Sequence, residues 1–218
     1  MFVAARERLL PLARLGCLGM LVAFLVLVLL CTVVNWLSGT REERIDMRDL
    51  VLDVSAFPEG WALQIGPYHP PKGKHLAGEL EATIVQFERL PGSLVTGHAV
   101  LRYRNALQAA VAFYTTDEFA NRDSNVTPWA VPEGWTLESP TADHFRFACA
   151  EFEVLDRFLV SCKAAALYDE YVSVFHTHIS PDYLTLEEVE IILRAIDERM
   201  ARYLEEGESK GSRQASAQ

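Results

Sequence analysis

The sequence predicts an α+β fold: a single N-terminal membrane-spanning helix, then a mostly antiparallel β-sheet domain with two packed helices. Three observations carry this prediction. No charged residue lies between Leu15 and Thr40. Short runs of alternating apolar residues recur between Gly and Pro punctuation, as strands do. Two later segments instead place apolar residues at helical spacing.

The stretch LGCLGMLVAFLVLVLLCTVVNWL, residues 15–37, is long enough to cross a bilayer core that needs about 20 helical residues. Arg6, Arg8 and Arg14 precede it against Glu7, whereas Arg41 and Arg44 beyond it are diluted by Glu42 and Glu43. The Lys/Arg bias places the N-terminus in the cytoplasm. A cleaved signal peptide would have a shorter apolar core ending in small residues, and the exit NWLSGT lacks them. A lipoprotein signal would need a small residue before its cysteine, but Cys31 follows Leu29 and Leu30. The expectation is a cytoplasmic arm over 1–14, an uncleaved signal anchor over 15–37 and a juxtamembrane linker over 38–48. An extracytoplasmic domain over 49–205 and a disordered tail over 206–218 follow.

Within the domain, PEGW at 58–61 makes a turn through Pro58 and Gly60, and Trp61 opens a strand. PYHPPKGKHLAGE then reads as an exposed loop. ATIVQFERL and LVTGHAVLRYRN flank Pro91 and Gly92 as a hairpin, with Val85, Phe87, Ala99, Leu101 and Tyr103 facing inward. A helix follows, capped by Asn105, with Leu107, Ala110, Val111 and Tyr114 on one stripe.

The segment FRFACAEFEVLDRFLVSCKAAAL contains two strand-like runs about VLDR. Folding them at Leu155 and Asp156 sets Cys149 opposite Cys162, Phe147 opposite Ala164 and Phe145 opposite Ala166, all on one face. Facing cysteines outside the membrane predict a disulfide; the alternative is a pair of buried thiols. YVSVFHTHI forms a further strand. The closing helix starts at a capping box, Thr185 with Glu188, and buries Val189, Leu193, Ile196, Met200 and Tyr203. The tail EEGESKGSRQASAQ has no apolar anchors.

PEGW recurs at 132–135, again ahead of strands and a helix. It is either the start of a duplicated unit, giving two β-rich repeats each closed by a helix, or a common turn met twice. On both readings it is a strand-entry turn whose tryptophan packs at the core edge.

The arrangement of ADHFRFACAEF, FLVSCKAAALYDEYVSVF and LTLEEVEIILRAIDERM resembles uncharacterised bacterial envelope proteins, membrane-anchored or lipidated, with a two-cysteine hairpin and a terminal helix. The resemblance covers mainly residues 132–204. More loosely, strands followed by a long helix are similar to the Mog1/PsbP type of sandwich. Neither resemblance implies catalytic residues.

From Arg41 onward, 17 Lys and Arg face 29 Asp and Glu, a net charge of −12 that repels nucleic acid and anionic headgroups. No phosphate loop, dinucleotide fingerprint or nucleophile elbow is present, so no cofactor is expected. His176 and His178 share one face of a strand and are the most suggestive metal-ligand pair, one that needs a carboxylate or third histidine beside it, though a packed histidine pair is the plainer reading. Trp61, Tyr68, Trp129 and Trp135 lie near turns, as contact residues for a ligand or as core. The leading expectation is a membrane-anchored, non-catalytic binding module for a protein or small-molecule partner. The alternatives are an envelope enzyme, metal-dependent through His176 and His178, and a structural subunit of a membrane complex acting through residues 15–37.

Overall fold

The structure, a computed structural model, describes residues 24–31, 46–71, 78–90, 94–115, 127–154 and 157–215. Residues 24–31 are helical and exposed, and the rest of the apolar stretch 15–37 lies outside the described residues. Among the described residues no helix is long and apolar enough to cross a membrane. The chain divides into two units, Met1–Arg41 and Glu42–Gln218.

The second unit opens with two short 3-10 turns, Met47–Asp49 and Val54–Ala56, each started by an aspartate whose carboxylate accepts a backbone N–H two residues on. Three strands follow: β1 (Trp61–Tyr68), β2 (Glu81–Arg89) and β3 (Val95–Arg102). Helix α1 (Ala106–Thr115) closes this half. The other half runs β4 (His144–Val154), β5 (Arg157–Tyr168), β6 (Tyr171–Ile179) and helix α2 (Leu186–Ala215). One six-stranded sheet results, in the order β1-β2-β3-β6-β5-β4, every neighbouring pair antiparallel.

Both faces of the sheet are covered. Val85, Phe87, Val100, Ala164, Ala166 and Phe175 pack on one side with α2 and the 3-10 segment. Ala82, Leu101, Ala165, Leu167 and Val172 pack on the other with α1. Alternation along each strand forces this partition, since neighbours point to opposite sides. It corrects the expected β2–β3 face. Val85 pairs with His98 and Phe87 with Thr96, so Val85 and Phe87 lie opposite the side that holds Ala99, Leu101 and Tyr103. The sequence pattern places all five on one face because a sheet buried on both sides leaves no polar alternation to fix the register.

Helix α1 begins as expected: Gln108 N–H donates to Asn105 Oδ1 at 2.9 Å. Its buried face is a different one. Ala109, Ala112 and Phe113 meet the sheet, while Leu107, Val111 and Tyr114 are exposed. The helix is apolar nearly all round, so spacing alone could not choose a face. The two alanines let its backbone lie close on the sheet and Phe113 fills the gap beside them. Asn105→Ala removes the cap and should destabilise the domain by about 1 kcal/mol, whereas Asn105→Asp should stay within a few tenths; urea unfolding of both variants measures this.

Helix α2 carries the predicted capping box in both directions, Glu188 N–H to Thr185 Oγ1 at 3.2 Å and Thr185 N–H to the Glu188 carboxylate at 2.8 Å. Val189, Ile192, Leu193, Ile196 and Met200 are buried along it. The helix runs to Ala215, into the stretch whose composition assigns it to a disordered tail.

Gly60 and Gly134 both adopt left-handed backbone, φ 91° and 77°, so both PEGW segments make the same kind of turn. No atom lies within 4 Å of where a Cβ would stand at either, so conformation rather than space calls for glycine. Beyond the turn the copies diverge. Trp61 opens β1 directly, whereas Trp135 precedes β4 by nine residues of non-strand chain. The strand order is palindromic, but a two-fold axis between antiparallel β3 and β6 would place both helices on one face, and α1 and α2 lie on opposite faces. The likeness between the two halves is thus limited to the turn and the mirrored strand order.

Candidate functional site

Strand β4 is one edge of the sheet. Its Cys149 faces Cys162 of β5 and is bonded to it, with Cα atoms 4.0 Å apart, in the register derived from the sequence. On the outer side of β4 the preceding chain makes a short additional rung. Cys149 and Ala130 exchange both backbone hydrogen bonds at 2.9 Å, and Thr127 N–H donates to Glu151 O at 2.8 Å. At Val131 the chain leaves the edge, turns through the second PEGW, and returns to begin β4 at His144.

The returning segment is held down at several points. Leu137 enters the core on the α2 side. Asp197 of α2 accepts hydrogen bonds from Ser139 Oγ and, at 3.1 Å, from Tyr168 Oη. Ser139 Oγ in turn accepts the Ala142 N–H at 2.8 Å. Burial, reinforced by the Asp197 carboxylate, raises the Tyr168 hydroxyl pKa, so it stays a donor. A side chain from α2 thus fixes the loop beside β4.

Between this loop and β4 lies a half-open cleft of about 660 Å³, lined by Trp129, Val131, Trp135, Leu137, Glu138, Ser139 and the stretch Ala142–Ala148. The two tryptophans approach it from different sides of the sheet. Trp135 stacks on Phe147, ring centroids 4.0 Å apart, on the α2 side. Trp129 lies under the Lys163 ammonium, 5.0 Å from its ring centroid, and Lys163 alternates with Ala165 and Leu167 on the α1 side. Exposed His144 and Arg146 point the same way as Lys163, and His144 packs against Phe113 and Tyr114 of α1.

Of the four aromatic residues singled out in the sequence, the structure brings Trp129 and Trp135 together. Trp61 is buried against Phe57 and Tyr183 and is a core residue. Tyr68 is exposed at the end of β1, on the opposite edge of the sheet. Phe145, Arg146 and Phe147, read from the sequence only as hairpin residues or not at all, form the cleft's inner wall.

His176 and His178 do sit on one face of β6, ring centroids 5.1 Å apart. His176 Nε2 lies 3.0 Å from Ser161 Oγ, and burial, with His178 and Lys163 nearby, lowers the His176 pKa to about 4. Burial also lowers that of His178. Among the described residues no group of three His, Cys, Asp or Glu side chains is placed to hold a metal ion. Lys163 stands opposite His176 in the β5–β6 register, a cation where a metal would want a carboxylate. Ser161 is buried, so its contact with His176 is that of a packed polar pair rather than an exposed nucleophile.

No family model and no curated protein sequence matches this chain. Among solved structures, an uncharacterised protein from Mycobacterium smegmatis, the Rv0999 ortholog, is similar at 11% identity and a TM-score of 0.38, over 71% of this chain and 96% of that one.

Proposed function

We propose that this chain is a non-catalytic binding module, held at a membrane by residues 15–37 with its domain outside the cytoplasm, and that it recognises its partner in the cleft between Trp129 and Trp135. The observation that carries the reading is the cleft itself: two indoles from an irregular segment, one on each side of a sheet edge, over a loop anchored to α2 through Asp197. Binding sites commonly combine such aromatic anchors with a rigid scaffold. The disulfide supports an oxidising compartment, and residues 132–204 resemble anchored envelope proteins in the same sense.

Native mass spectrometry of the full-length protein from its own membranes tests the reading. A bound mass should accompany the wild-type chain. Trp129→Ala and Trp135→Ala should each weaken its retention by about tenfold or more, as loss of a buried aromatic anchor does. Retention unchanged in both variants would remove the cleft from the binding surface.

A further inference from the structure

The inner wall of the cleft is a stretch of open β-edge. In an antiparallel sheet both backbone groups of a residue point to the same neighbour, and successive residues alternate. Cys149 and Glu151 direct theirs outward, to Ala130 and Thr127. By the same alternation Phe147 and Phe145 direct their N–H and C=O groups outward, just below the point where the covering chain departs. Among the described residues none pairs with these outward groups. Natural sheets blunt such an edge with bulges, proline, charged side chains or a covering segment. The far edge shows that treatment: β1 pairs irregularly with β2 at two places and contains Pro67. The Phe145–Phe147 edge has neither a bulge nor a proline; Arg146 between the two is charged, and the covering chain reaches only Cys149 and Glu151 among the described residues.

We infer that the cleft binds an extended polypeptide segment of a partner protein, which adds as a short strand to β4 at Phe145 and Phe147. This rests on the cleft being the recognition surface. A row of alternating peptide donors and acceptors is complementary to another peptide backbone, and strand addition is a recurring recognition mode. The side chains of an added strand alternate between the two faces. One set would meet Trp135, Phe145 and Phe147; the other would meet Trp129, His144 and Arg146. The matching segment therefore alternates apolar residues with acidic ones that face Arg146; of the cleft's own carboxylates, Asp143 accepts the Asp169 N–H at 2.9 Å and Glu138 lies on the covering loop. A second copy of this chain fits poorly, because antiparallel pairing of two β4 edges at Phe145 and Phe147 sets Arg146 opposite Arg146 of the other copy, and like charges directly opposite are destabilising.

The test uses full-length protein in detergent micelles and the capped peptide acetyl-Val-Glu-Val-Glu-Val-amide, with site-resolved amide hydrogen exchange and a titration followed by tryptophan fluorescence. In the free chain the Phe145 and Phe147 amides should exchange faster than that of Arg146, which faces β5. Saturating peptide should slow both by about tenfold or more. Two N-methylated peptides, methylated at alternate residues in either phase, separate backbone pairing from side-chain contact. One phase should bind about tenfold more weakly and the other nearly as well as the parent, since only one set of N–H groups faces β4. The Lys-for-Glu peptide should also bind more weakly.

Equal affinity of the two methylated phases, no binding of the parent peptide, or full protection of Phe145 and Phe147 in the free chain would each overturn the inference. Protection that grows with protein concentration would overturn it in favour of a second copy. If the peptide fails while a bound mass from native membranes still depends on Trp135, the strand inference fails and the binding-module reading stands.

Discussion

Replacing Cys149 and Cys162 together by alanine should lower the unfolding free energy by about 3 kcal/mol, the entropy that a cross-link of this loop length removes from the unfolded chain. The two residues are 13 apart in sequence and face each other across β4 and β5. Cys162 is fully buried, so the variant also loses packing in the core on the α2 side. The effect should concentrate at the cleft. Among the described residues strand β4 has a full partner only in β5, and its outer side is tied only at Ala130 and Thr127. With a urea dependence of about 2 kcal/mol per molar, the midpoint should fall by about 1.5 M. Wild-type protein in strong reductant should move toward the variant, and the variant should not respond to reductant. A wild-type midpoint that reductant leaves in place, with the thiols shown to be free, would mean the cross-link carries none of this stability.

That hairpin was legible because every cue agreed. Two alternating runs, a short polar turn and a pair of cysteines allowed one register, and the structure has it, from Phe145 opposite Ala166 to Cys149 opposite Cys162. The α2 capping box was legible for the same reason. The β2–β3 hairpin and α1 were harder. Ile84 and Val85 are both buried, on opposite faces, and α1 exposes Leu107, Val111 and Tyr114 while burying alanines. A sheet covered on both sides removes the polar half of the pattern from which faces are read. The cleft was not legible as a site. Trp129 and Trp135 stood out singly, but they reach different sides of β4 only because the chain makes one rung at Ala130, leaves the edge, and is tied down by Asp197 some 60 residues later. Such contacts are set by tertiary packing, and nothing local in the sequence records them. The open edge at Phe145 and Phe147 follows from hydrogen-bond phase, which needs the register of both neighbours.

The largest pH effect should come from His98, at the centre of the sheet. Its Nδ1 accepts the Leu52 N–H at 3.1 Å, and its Nε2 lies 2.9 Å from Ser173 Oγ, so the ring pins the N-terminal 3-10 segment to β3 and β6. Nδ1 can accept only while it carries no proton. Burial, with the Arg199 cation adding to it, lowers the His98 pKa from 6.5 to about 3. In the unfolded chain His98 binds a proton below about 6.5; in the folded protein it does not until about 3. The unfolded state therefore holds more protons throughout that window. The contribution of His98 to stability is complete above pH 6.5 and is lost as pH falls toward 3. Between pH 7.5 and pH 5 the loss should be about 2 kcal/mol from this residue, and His176, lowered to about 4 mainly by burial, adds in the same direction. Carboxylates such as Asp53, held low first by the Ser55 hydroxyl, lose their contribution only at more acidic pH, which makes pH 5 the informative lower limit. Urea unfolding of wild type and His98→Asn at the two pH values decides the matter. The variant should be less stable at pH 7.5 by about 2 kcal/mol, for lost volume in a packed core, yet decline less on acidification. Parallel decline of the two proteins would show that a neutral, buried His98 is not what makes the domain sensitive to acid.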